Sequence, residues 1–186
     1  EQCDFTFDTE GRGVCACGSV LTIVVDESDL TGLVYDGTIQ AEDVKITVAL
    51  ADGSADLRKD TDYKVEYEPR KDAGEIKVTV TGVTFTGTFT RTYRIEQDQP
   101  GIRWDASAFA VDYDSEGRPV DSAVLPHITI TIKAPNDEDL HPYLRYAYKK
   151  DGDSEFTEGL PVNAGEYQLK AYLPESNNYK AAETDP

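Results

Sequence analysis

The 186-residue chain of 20.5 kDa carries 18 Lys and Arg against 36 Asp and Glu, a net charge of −18 with a pI near 4.3. That balance excludes a phosphate-reading basic face, so neither nucleic acid nor an anionic membrane surface is an expected partner. No apolar run approaches the roughly 18 residues a membrane-inserted helix needs, and a 10% aromatic content with 11 Tyr sets the chain apart from disordered acidic segments.

Residues 1–18 read as a polar loop that contains Gly11, Gly13, Gly18 and all three cysteines, a separate small element ahead of the first strand. Alternating apolar and polar residues then predict strands at Val20–Asp26, Val44–Leu50, Tyr63–Tyr67, Glu75–Thr81 and Thr88–Ile95. The same pattern returns at His127–Lys133, Tyr143–Tyr148 and Glu166–Leu173. Turn pairs such as Asp36-Gly37, Asp52-Gly53, Ala73-Gly74 and Asp151-Gly152 separate them. No window keeps an i, i+3, i+4, i+7 stripe, so long helices are not expected. The fold class is all-β, a sandwich or barrel of short strands.

An internal repeat sets the domain count. Val34-Tyr35-Asp36-Gly37 opens the first half and Val111-Asp112-Tyr113-Asp114 the second. Tyr63–Tyr67 then corresponds to Tyr143–Tyr148, Asp72-Ala73-Gly74-Glu75 to Asn163-Ala164-Gly165-Glu166, and Thr84-Phe85-Thr86-Gly87 to Asn177-Asn178-Tyr179-Lys180. A boundary falls near the polar stretch Glu96–Gly101. Residues 1–97 and 98–186 each carry nine more acids than bases, so the acidity belongs to the modules and not to a tail. The expected organisation is a Cys-containing segment over 1–18, one sandwich over 19–97 and a second over 98–186.

This order of motifs resembles the tandem immunoglobulin-like repeats of bacterial surface proteins. The second half, with its Tyr-rich strand, Gly159–Tyr167 and Asn178-Tyr179, is similar to the MBG class of such repeats, and the first half to a close relative. The resemblance spans roughly residues 20–182. It implies two tandem immunoglobulin-like β-sandwiches and an extracellular, cell-surface location, often Gram-positive. The implied role is that of a spacer or adhesion module whose partners are a host or cell-surface protein or a glycan. It supplies no catalytic residues. An extended two-module shape and a monomeric fragment of a larger chain follow from that role, and the lack of Met reads as an excised or processed product.

One departure concerns the last strand. Thr88–Ile95 has no full counterpart after Tyr179: either Ala181–Asp185 forms a stub or that strand is missing, which leaves a partly exposed edge. The core is expected from the inward residues, among them Ile23, Tyr35, Val48, Ile76 and Phe89 in the first module and Trp104, Phe109, Tyr113, Ile128 and Tyr179 in the second.

Cys3, Cys15 and Cys17 allow three states. A disulfide from Cys3 to Cys15 or Cys17 leaves one thiol free and is placed ahead of the others, because a Cys15–Cys17 bridge closes too short a loop. A zinc site would use Cys3 as third ligand, with a fourth from Asp4, Asp8, water or elsewhere; the spacing is Cys-x-Cys and not the zinc-favouring Cys-x-x-Cys. The segment resembles the short cysteine knuckles that precede such repeats in some surface proteins. Reduced thiols are the third state. Asp151-Gly-Asp153-Ser-Glu155, Asp26–Asp29 and Asn136–Asp139 read as solvated turns, with weak calcium binding as the alternative. His127 and His141 look like ordinary strand-edge residues, with a pH switch or metal site as the alternative. A carbohydrate-binding module would need an exposed aromatic platform, for which Tyr143 and Tyr172 are the candidates. No phosphate loop, nucleophile elbow or His-Glu-x-x-His motif occurs, so the chain is read as a non-enzyme with no required cofactor.

Overall fold

The computed structural model describes residues 3–112, 114–134 and 138–186. Tyr113, expected in the core, and residues 135–137 of the acidic turn lie outside the described residues. Among the described residues the chain is all-β: fourteen short strands, two single 3-10 turns and no α-helix, with every named strand ladder antiparallel. It divides into two compact units, Glu1–Glu96 and Gln97–Pro186.

The first unit has two sheets. One runs in the order β1 (Phe5–Phe7), β2 (Arg12–Cys15), β3 (Val20–Val25), β4 (Ile46–Leu50), β5 (Asp56–Leu57). The other is β6 (Tyr63–Glu66), β7 (Gly74–Gly82), β8 (Thr88–Ile95). Alternation does what it should here: Ile76, Val78 and Val80 of β7 are buried while Lys77 between them is exposed. Pairing Ile76 with Tyr93 and Val80 with Phe89 sends both strands' apolar residues to one face. Tyr63 places its ring in the core, and its hydroxyl donates to the Ile46 carbonyl (3.2 Å), tying the two sheets together.

The expected polar loop at the N-terminus is instead two strands. Phe5 and Cys15 pair and are both buried, and Phe5 packs edge-on against Phe85 (5.7 Å) while Phe7 meets Phe89 (6.3 Å). Gly13, which signalled a loop in sequence, is a strand residue lying under the Phe7 ring, where a Cβ would come within 2.4 Å of that ring. Glycine in a strand often marks such a close approach.

The repeated motifs acquire structural reasons. In the Tyr-Asp-Gly segment Tyr35 is 1% exposed, and Asp36 Oδ1 accepts from the amide (2.9 Å) and hydroxyl (2.7 Å) of Thr38. Arg70 clasps the Asp72–Glu75 turn by donating to the carbonyls of Asp72, Ala73 and Glu75 at 3.0–3.3 Å.

In the second unit β9 (Gly101–Trp104) pairs with β10 (Ile128–Thr131). A four-stranded sheet runs β12 (Thr157–Glu158), β11 (Arg145–Lys150), β13 (Tyr167–Leu173), β14 (Ala182–Glu183). The strand expected from Tyr143 starts at Arg145, because His141-Pro142-Tyr143 forms a 3-10 turn with Pro near its start. The stub at Ala182–Glu183 pairs with β13 only at Leu173 and Tyr172. Among the described residues, the buried ones here are smaller and fewer than in the first unit: Ile128, Ala134, Leu140, Ala147, Ala171, Leu173 and Tyr179 among them. Phe109, expected in the core, is 41% exposed.

The polar stretch 96–101 is an ordered strap. Asp98, 3% exposed, accepts from Gln99 N and Lys133 N through its two carboxylate oxygens (2.9 and 2.7 Å). Its backbone pairs with Asn178 and Lys180, while Gln97 and Gln99 reach Ser176 and Ala181. A buried carboxylate is tolerable here because backbone N–H groups meet both oxygens.

Candidate metal centre

Two hairpins assemble the cysteines. Cys15 ends β2, its carbonyl accepts from Gly18 N (2.9 Å) and its amide donates to Ser19 O (3.0 Å). Ala16-Cys17-Gly18 is therefore a three-residue hairpin loop, and Gly18 takes the positive φ (89°) that this loop type requires. Phe5 faces Cys15 in the β1–β2 register, so continuing that register by two residues sets Cys3 across from Cys17. The Cys3 carbonyl is fixed by Thr86 N (2.8 Å).

The three cysteines are unbridged in this structure, and their sulphurs all lie within 4.8 Å of one another. Cys3 and Cys17 Sγ are 3.3 Å apart, and Cys17 Sγ lies 3.3 Å from Ser19 Oγ. Cys15 is buried, Cys3 half-buried and Cys17 exposed. The hydrogen bonds split the thiols electrostatically. Ser19's side chain, then Cys15 and the Ser19 backbone, lower Cys17 to about 6, whereas the bond to Cys17 leads the effects that push Cys3 up to about 11. Lowering Cys17 favours its thiolate, the form that ligates metals and attacks disulfides. Among the described residues this is the one group of three or more Cys, His, Asp or Glu with ligand atoms close enough to share an ion. Asp4 and Asp8, weighed as fourth ligands, are not in it; Asp8 Oδ1 instead accepts from Glu10 N and Arg12 N (3.0 and 2.8 Å).

The other candidates fall differently. Asp26 accepts from Ser28 at 2.7 and 3.1 Å, and Glu27 is engaged by Arg91 (2.6 Å) and the Tyr93 hydroxyl (3.3 Å), leaving that acidic turn committed to the protein. Burial pushes Tyr93 up to about 12, so its hydroxyl stays a donor. Asp151–Glu155 is an exposed turn closed by Asp153 N on the Lys150 carbonyl (3.0 Å). Tyr143 sits in the 3-10 turn, 56% exposed, while Tyr172 lies in β13 with its hydroxyl donating to Glu158 (2.8 Å). Among the described residues no ring contact joins these two tyrosines.

Two arrangements escaped the sequence. His127 and His141, read as separate edge residues, lie with ring centroids 5.6 Å apart, each held at Nδ1 by a carboxylate: Asp105 (2.7 Å) and Asp139 (2.6 Å). The signal available was each histidine's proline neighbour, which marks a bend but not a meeting point. The second unit also contains a hollow of about 820 Å³ lined by Trp104, Phe109, Leu160 and Tyr167, among others, and the buried Trp104 indole N–H has no hydrogen-bond partner among the described residues. Trp104 stacks with Tyr146 (6.3 Å).

No protein-family model, no curated protein and no solved structure matches the chain.

Proposed function

We propose that the chain is a pair of tandem immunoglobulin-like β-sandwich modules from a bacterial surface protein, working outside the cell as a non-catalytic spacer with capacity for adhesion. The observation that carries this reading is a shared plan. In the first unit Asp4 makes a parallel bridge to Thr86; in the second Asp98 makes one to Tyr179. Thr86 and Tyr179 occupy the same place in the repeated motif read from the sequence, so each unit's opening segment pairs with the segment before its last strand. The sheets correspond as well: β3–β4 matches β9–β10, and β6–β7–β8 matches β11–β13–β14. Short antiparallel strands with a separate core in each unit suit modules that are strung together and not one enzyme scaffold. The exposed acids favour solubility and separation of like-charged neighbours.

A second reading, a carbohydrate-binding module, is favoured by the Trp104-lined hollow, since an aromatic face and a free N–H suit a sugar ring. Tyr143 and Tyr172 do not support it as a platform. A glycan-array screen of the whole chain separates the two. The spacer reading expects no reproducible hit; binding to one glycan class that Trp104→Ala removes would replace it with the lectin-like one.

A further inference from the structure

We propose that Cys3, Cys15 and Cys17 form a solvent-facing trithiolate site for a thiophilic d10 cation, zinc with water as its fourth ligand. The inference stands apart from the spacer reading, because it concerns a feature that only the first unit has. In the second unit the bridged Asp98 leads almost directly into β9; in the first, the β1–β2 hairpin is inserted between the bridged Asp4 and β3. Cys15 and Cys17 lie on or beside that insertion, and Cys3 precedes it.

Three features of the geometry point to a metal. Thiolates around a tetrahedral zinc at about 2.3 Å sit about 3.8 Å from each other, and the three sulphurs here already lie within 4.8 Å of one another, Cys3 and Cys17 at 3.3 Å. Their backbones are fixed before any ion arrives, by Thr86 N on the Cys3 carbonyl and by the closed loop at Cys15–Ser19. Zinc would use all three sulphurs, whereas a Cys3–Cys17 disulfide strands Cys15. Ser19 Oγ accepts from the Cys17 thiol at 3.3 Å, and once that sulphur has lost its proton the same hydroxyl is placed to donate to it and orient a ligating thiolate. Sulphur donors disfavour calcium and magnesium. With no carboxylate or imidazole in the cluster among the described residues, and Cys17 exposed, the fourth position faces water.

Binding exchanges protons for metal: each thiol still protonated gives its proton to solvent, each sulphur lone pair forms a Zn–S bond, and no electron is transferred. Because binding releases protons, affinity should weaken as the pH falls. The ion would also clip the inserted hairpin to the segment that bridges Thr86, and so would stabilise the first unit.

The test uses the whole chain, reduced and kept under inert gas, titrated with Co²⁺ as a coloured probe and then with Zn²⁺. The expected result is one equivalent bound, a thiolate-to-cobalt charge-transfer band that zinc displaces, and a rise of about 10 °C in the first unit's Tm at hundredfold excess over Kd. Cys3→Ala and Cys17→Ala, both at positions that are not fully buried, should each weaken binding by 100-fold or more while circular dichroism shows the fold retained. A reduced protein that takes up no metal overturns the proposal. So does metal binding without a thiolate band, or binding that survives both substitutions, since carboxylates would then be the ligands.

Discussion

Replacing Phe5 with Ala separates an N-terminal strand from a loose polar appendage. The ring is 5% exposed, meets Phe85 edge-on at 5.7 Å and Phe7 at 6.2 Å, and lies beside the Phe5 N to Thr86 O bond of 2.8 Å. Buried Phe→Ala changes cost about 3–5 kcal/mol, the lower figure applying where neighbours can close in. Phe5 stands on an edge strand beside two adjustable rings, so about 3 kcal/mol is the appropriate value. In a unit of this size each kcal/mol moves Tm by about 4–8 °C, giving a drop of about 12–24 °C. The chain's single Trp, Trp104, lies in the second unit, so its fluorescence follows that unit while far-ultraviolet circular dichroism follows both. The expected outcome is a first-unit transition shifted down by that amount with the Trp104 transition unmoved. A change of about 2–4 °C or less would refute the packing of residues 5–7 into the first unit, because surface substitutions typically stay within about 0.5 kcal/mol.

Three further outcomes follow from named contacts. Arg70→Ala removes three donors from the 72–75 turn and should cost the first unit about 1–3 kcal/mol, read as a lower urea midpoint at unchanged m-value. Asp98→Ala leaves the Lys133 amide without its carboxylate and should lower the second unit's stability by about 2–3 kcal/mol; Asp98→Asn, whose carbonyl can still accept one bond, should recover part of that. His141 is held protonated above its ordinary 6.5, first by the Asp139 carboxylate and then by the Ile128 carbonyl at 3.0 Å. Its contribution is complete below 6.5 and is lost as pH rises through the raised folded value. Asp105, held low first by Thr129, and Asp139, held low first by the His141 amide, contribute above their ordinary 3.8 and lose that contribution as pH falls. The Trp104-reported midpoint should therefore peak between those limits and fall by about 1–2 °C on the alkaline side, the small size reflecting solvent screening. His141→Gln should flatten the alkaline fall.

What could be read from the sequence follows from what kind of information each feature uses. Strands such as Gly74–Gly82 and Thr88–Ile95 declare themselves through β-branched alternation, which is local. Residues 5–15 did not, because Gly13 and the cysteines mimic loop composition, and only the Phe7 ring lying over Gly13 explains the glycine. The cysteines were legible as a group; their convergence depended on a register that composition cannot supply. Glu27 in an acidic turn looked solvated until Arg91 and Tyr93, more than sixty positions away, closed on it. The two histidines, fourteen residues apart, meet only once β10 and the 3-10 turn are placed. Tertiary proximity of this kind has no periodic signature.

The most direct test of the tandem-module reading is to pull single molecules of the chain from both ends. Two independent units of 96 and 90 residues should give two separate unfolding events, each releasing about 30 nm of contour length. A single event of about 60 nm would mean that the chain unfolds as one cooperative body, and would contradict the reading.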